Sequence, residues 1–115
     1  MDQPLASRLA REGFELWEQG RLVEAAAKYV QALEHVDPAH YALPDYHGEY
    51  AGVLAALGRD EEARVQYERS LALSLRDDPE ALGAAVAVAG YFLAELLLKM
   101  NLPADALEVI HRYRG

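Results

Sequence analysis

The chain has no cysteine, no threonine and a single isoleucine, Ile110. Without cysteine, disulfide staples and thiolate chemistry are excluded, while the redox compartment stays open. With alanine and leucine abundant, that mix favours helix over sheet. Basic residues are scarce too: 11 Lys and Arg stand against 19 Asp and Glu, a net charge of −8. No basic stripe offsets it, so nucleic acid and anionic membrane are not expected as partners. The acidity either serves solubility or selects a basic or amphipathic partner. No basic-then-apolar segment opens the N-terminus; no signal peptide is visible, and a cytoplasmic location is expected.

What is present is apolar and periodic. Hydrophobic residues make up 52% of 115, enough for one domain with a modest core. From Tyr46 to Leu73, two apolar runs flank Leu57-Gly58-Arg59-Asp60. Tyr50, Val53, Leu54 and Leu57 recur at helical steps, as do Ala63, Tyr67, Ser70 and Leu71. Gly58 suits the left-handed residue after a helix end, and Asp60 is expected to N-cap the next helix. Upstream, Asp2-Gln3-Pro4 opens a helix to about Glu18, Gly20 breaks it, and a second helix runs from about Leu22 to Val36 before Asp37-Pro38. His40 to Pro44 reads as a connector. The fourth helix ends near Arg76, and Asp78-Pro79-Glu80 predicts a restart over Pro79 to Met100. Asn101 takes a left-handed stop, and Pro103 opens a last helix to about Tyr113. The expected fold is all-α: six helices in three hairpins.

The hairpins superimpose. Gly20, Ala25, Tyr29 and Ala32 match Gly58, Ala63, Tyr67 and Ser70 at one offset, with Gly13 on Ala51 and Leu16 on Leu54. The third hairpin follows at a longer offset through Ala94, Leu97, Asn101, Ala106, Ile110 and Tyr113. Small residues let paired helices approach, and a large residue four positions later wedges against the preceding helix. On these residues, with Pro38 and Pro79 near the repeat ends, the chain resembles the tetratricopeptide repeat family, whose unit is a helix-turn-helix of about 34 residues. The likeness spans nearly the whole chain, as repeats over about 3–38, 42–76 and 79–114. It departs from the family in its longer offsets, in the missing third turn glycine and in the lack of a polar capping helix.

The resemblance implies a short right-handed solenoid whose first helices line a concave groove. On that assignment the inner positions are Ala10, Phe14 and Trp17, then Gly48, Gly52 and Ala55, then Tyr91, Glu95 and Leu98. Such a groove is aromatic at its ends and bare in the middle, with room for a helix or extended peptide carrying bulky apolar side chains. The alternative is that Phe14, Trp17 and Tyr91 only pack against neighbouring helices. Some relatives grip a C-terminal carboxylate with lysine, asparagine and arginine. Here only Arg11 is close, and Asp45, Glu49 and Glu95 repel a carboxylate, which favours basic residues flanking apolar ones in the partner. The expected function is therefore protein–protein interaction: a scaffold module binding an apolar or amphipathic segment.

Leu82–Leu98 has Glu95 as its only charge and almost no polar face. It falls short of the roughly 20 apolar residues that span a bilayer, so membrane insertion is not expected. Either a second copy covers it, through Leu82, Val86, Leu93 and Leu96, or the last helix and its neighbours do. Self-assembly as a homodimer is accordingly one alternative function; a small assembly or secretion chaperone is another. Asp45, His47 and Glu49 lie close in sequence, but no second histidine has zinc-type spacing, and a solvated face is the expected reading. Ser7, Ser70 and Ser74 lack an activating base, and no phosphate loop or nucleophile elbow is present. No enzymatic activity, cofactor or metal is expected.

Overall fold

A computed structural model describes residues 1–81 and 83–113. The described residues form six helices and no strand: α1 (Gln3–Glu18), α2 (Leu22–His35), α3 (Leu43–Ala56), α4 (Asp60–Asp77), α5 (Ala84–Lys99) and α6 (Pro103–Tyr113). They pair as α1–α2, α3–α4 and α5–α6, and the hairpins stack in succession through α2–α3 and α4–α5. The result is a short solenoid-like array.

Three turns of one geometry close the hairpins. Gly20, Gly58 and Asn101 have φ of 77°, 79° and 65°. Asparagine is the side chain that tolerates this left-handed region best, so it replaces the third glycine. Each turn is held by the same two bonds. The Gly20, Gly58 and Asn101 amides donate to Trp17, Ala55 and Leu98, and the following amides of Arg21, Arg59 and Leu102 donate to Leu16, Leu54 and Leu97. Arg21 pairs with Glu24, and Arg59 pairs with Glu62 at the matching positions.

The helix starts hold less uniformly to expectation. Asp2 caps α1, accepting from the Leu5 amide at 3.0 Å. Arg59, not Asp60, occupies the N-cap of α4; Asp60 is the first helical residue, and its carboxylate receives Lys99 Nζ at 3.0 Å. Pro44 lies in the first turn of α3 rather than in the connector, where its missing N–H costs no helical bond. The largest difference is α5, which begins at Ala84 instead of Pro79. The Ala81 amide closes a turn on the Asp78 carbonyl at 3.0 Å, and Ala81 adopts φ 57°. The Asp78 carboxylate receives the Gly83 amide at 2.6 Å, so it anchors this loop and caps no helix at Pro79.

Two cores meet at α3. One gathers Ala6, Leu9, Ala10, Ala25, Tyr29 and Ala32 with Tyr46 and Val53; the other gathers Leu54, Ala63, Tyr67 and Leu71 with Val86, Leu93, Leu96 and Leu97. Glycines mark the tightest seams: a Cβ on Gly13 would stand 3.0 Å from the Tyr29 ring, and one on Gly90 3.0 Å from Tyr113 Cβ. Tyr29 and Tyr67 fill the wedge positions and are enclosed, whereas Ile110, at the matching place in the third hairpin, is 40% exposed. Tyr29 and Tyr67 each reach the next hairpin, and no described hairpin follows α6. Val86, Leu93 and Leu96 are buried within the chain and are unavailable to a second copy, which corrects their expected interface role. Leu82 lies outside the described residues. Among the described residues no helix is long and apolar enough to cross a membrane.

Candidate partner groove

A cavity of about 1020 Å³ opens between α3 and α5, with α4 as its floor. Trp17 of α1 stands at its border, and Asp45, Gly48 and Glu49 form the α3 wall. Tyr67, Ser70 and Ser74 form the floor, while Ala85, Val88 and Phe92 form the α5 wall. Asp77, Asp78 and Gly83 come from the end of α4 and the loop behind it, and Tyr41 from the connector before α3. Gly48 lets α3 lie close to α4: a Cβ there would stand 3.3 Å from Ser70 Oγ, which would have to give by a few tenths of an ångström. The Ser74 hydroxyl is already satisfied, donating to the Ser70 carbonyl at 2.9 Å.

Of the expected groove residues, the structure gathers Trp17, Asp45, Gly48 and Glu49. Gly52 serves differently: the Trp17 indole lies on it, so close that a Cβ would meet Cη2 at 2.5 Å. The bare middle of the groove is thus partly filled by the aromatic expected at its end. Ala10 is buried in the first core. Phe14 packs edge-on to Trp17, with centroids 6.2 Å apart, and is not among the cavity residues. Tyr91, Glu95 and Leu98 lie on an exposed flank of α5 that the cavity does not include.

Val88 and Phe92 hold the α5 wall instead, and a signal for them was present. The offset that superimposes Gly58 on Asn101 also superimposes Asp45 on Val88 and Glu49 on Phe92. Tyr91, Glu95 and Leu98 share that offset with Gly48, Gly52 and Ala55 instead, and so fall on the next face of α5.

Glu49 of the α3 wall is half-buried, and Asp45, exposed as a residue, has a carboxyl partly desolvated by its neighbours. Burial pushes the Glu49 carboxyl above its ordinary value; the Tyr29 hydroxyl, donating to Glu49 Oε1 at 2.7 Å, opposes the rise, and the Asp45 charge adds to it. Burial alone raises Asp45. Tyr29 is raised by burial and by its bond to Glu49, and Tyr67 by burial and by the Glu95 charge. His47 is not on a solvated face: its Nδ1–H donates to Gln66 Oε1 at 2.6 Å. Burial lowers its pKa, against the Gln66 bond, and the Arg69 charge lowers it further. Its ring thus points to α4, apart from Asp45 and Glu49. Among the described residues no group of three or more His, Cys, Asp or Glu is placed to share a metal ion.

A smaller cavity of about 360 Å³ lies between α4 and α6 over Leu71, Leu75, Leu93 and Leu97. Within its charged lining Arg64 pairs with Glu68 at 3.0 Å and Arg112 with Glu108 at 3.1 Å, beside Asp105. Compared with protein-family models, curated proteins and solved structures, the chain matches none of them.

Proposed function

We propose that the chain is a tetratricopeptide-repeat-like interaction module that holds an apolar or amphipathic segment of another protein in the α3–α5 groove. The observation that carries this is the cavity of about 1020 Å³ with Phe92 44% and Val88 52% exposed on one wall. Apolar surface of that kind in a concave site is free energy available to a ligand. The three matched turns and the tyrosine wedges support the family likeness; the groove supports the role.

The test removes the aromatic contacts of the groove, with circular dichroism as the check that the variant stays folded. A peptide library is selected against the wild-type protein, and each selected peptide is measured against the double variant Trp17→Ala, Phe92→Ala. Binding should fall at least about tenfold, as expected for losing two aromatic anchors. Equal affinity for a still-folded double variant, or a selection that yields no binder, sinks the groove reading.

A second reading has its own observation. Tyr91, Leu98 and Leu107 are each more than half exposed on the last hairpin, with Ile110 three residues after Leu107 also exposed. Self-association would use these residues rather than the buried Val86, Leu93 and Leu96. Light scattering over a concentration series decides it: a dimer that Leu98→Glu with Leu107→Glu converts to a folded monomer supports it, and a monomer throughout rejects it.

A further inference from the structure

The two walls of the groove occupy equivalent repeat positions yet differ in chemistry. Where α3 presents Asp45 and Glu49, α5 presents Val88 and Phe92. Building on the groove reading above, we propose that the occupant is a cationic amphipathic segment, its basic side against α3 and its apolar side against α5.

The four carboxylates that line the cavity are not equally available. Asp77 is engaged by Arg76 at 3.1 Å, and Asp78 receives the Gly83 amide. Asp45 has no hydrogen bond or ion pair among the described side chains, and Glu49 has the Tyr29 hydroxyl alone. No lysine or arginine lines the cavity among the described residues. Two carboxylates one helical turn apart therefore line the cavity without a cation, Glu49 half-buried and Asp45 more exposed, and the half-buried one costs free energy until an opposite charge arrives. A lysine or arginine of the bound segment supplies it. A purely apolar segment would cover both carboxylates and leave them unpaired, and an acidic one would add repulsion. The α5 wall sets the complementary demand, since Ala85, Val88 and Phe92 offer nothing to a charged group. A helix with basic residues on one face and leucine-sized residues on the other meets both walls at once.

Trp17 is the only tryptophan of the chain and borders the cavity, so its emission reports occupancy. The probes are three peptides of equal length with leucine at helical spacing and Lys, Gln or Glu elsewhere, titrated by calorimetry and by Trp17 emission at physiological ionic strength. The Lys peptide should bind about tenfold or more tighter than the Gln peptide, and the Glu peptide weakest, as charge-assisted contacts require. Asp45→Asn with Glu49→Gln should erase the Lys preference; Gln at this position can still accept from Tyr29. Glu34→Gln with Glu61→Gln removes the same charge at two exposed positions outside the cavity and should leave the preference intact. Equal binding of the Lys and Gln peptides, both lost in Trp17→Ala, Phe92→Ala, overturns the cationic occupant and leaves the groove reading standing. Lys-peptide binding weakened as much by the Glu34, Glu61 pair as by the Asp45, Glu49 pair also overturns it, because overall charge then explains the binding. If no peptide binds the folded protein, the inference and the groove reading fall together.

Discussion

The two junctions between hairpins use the same tyrosine against different partners. At the first, Tyr29 is fully buried, lies beside Tyr50 with centroids 6.5 Å apart, and donates to Glu49 at 2.7 Å. At the second, Tyr67 is 9% exposed and lies nearly parallel to Phe92 at 6.2 Å, with Phe92 in the repeat position of Glu49. The first tyrosine is held by packing plus a polar contact, the second by packing alone with one side open to the groove; the polar contacts of the second junction lie elsewhere, from Lys99 Nζ to the Ala55 carbonyl and the Asp60 carboxylate. The wedge is a property of the repeat; what it wedges against is local. At Ile110, with no described hairpin packed against it, the same position is 40% exposed.

The sharpest way to break that comparison is truncation. Tyr29→Ala should cost about 3–5 kcal/mol and Tyr67→Ala about 3 kcal/mol, the smaller loss following from the cavity beside its ring. Urea unfolding followed by circular dichroism gives both values. A larger loss at Tyr67 would show that enclosure does not rank the two junctions.

Filling the seams should come next in size. Ala63→Leu overpacks the second hairpin, where Ala63 is wholly buried, and should cost roughly 1–3 kcal/mol. Gly52→Ala meets only the far edge of the Trp17 indole, which can swing away, so its clearer readout is optical. Trp17 emission should shift to the red as the ring leaves its slot. An unshifted spectrum would mean that Gly52 does not seat Trp17.

Removing one oxygen separates the junctions most cleanly. Tyr29→Phe takes the donor from a half-buried carboxylate and should cost about 1–2 kcal/mol. Tyr67→Phe should stay within about 0.5 kcal/mol, because no partner is bonded to its hydroxyl among the described residues. Matching losses in the two variants would remove the distinction between a tyrosine held by a polar contact and one held by packing alone.

The smallest effects are pH-dependent and opposite in sign. Glu49 has a raised pKa in the folded chain, so its favourable contribution is present below the ordinary carboxyl value of 4.5 and is lost as pH rises through the folded value. His47 has a lowered pKa, so its contribution is present above 6.5 and is lost as pH falls through the folded value. Urea midpoints at several pH values should show Glu49→Gln losing part of the decline on raising the pH, and His47→Gln losing part of the decline on lowering it. Parallel pH profiles in wild type and variants would assign the dependence to other groups.

Much of the array is legible in the sequence. The hairpin turns were readable because Gly20, Gly58 and Asn101 are the residue types that the left-handed region selects, whatever surrounds them. α1 was readable from the Asp2 cap and Pro4, both local signals. The start of α5 was not. Asp-Pro-Glu is a strong local helix opener, but here the Asp78 carboxylate is spent on Gly83, five residues away. The candidate groove was half legible: Trp17, Asp45, Gly48 and Glu49 converge, while Tyr91, Glu95 and Leu98 do not, because the face a helix turns inward depends on what packs behind it.

By itself, then, the sequence determined the all-helical class, the three turns and the small-large seams, each set by backbone preference or by periodicity within a helix. Only the tertiary structure decided that Trp17 lies on Gly52, that Val88 and Phe92 face Asp45 and Glu49 across the groove, and that the apolar core of α5 is covered from within. Those outcomes rest on distances between segments far apart in the chain, where rotating one helix by a single residue exchanges the wall it presents.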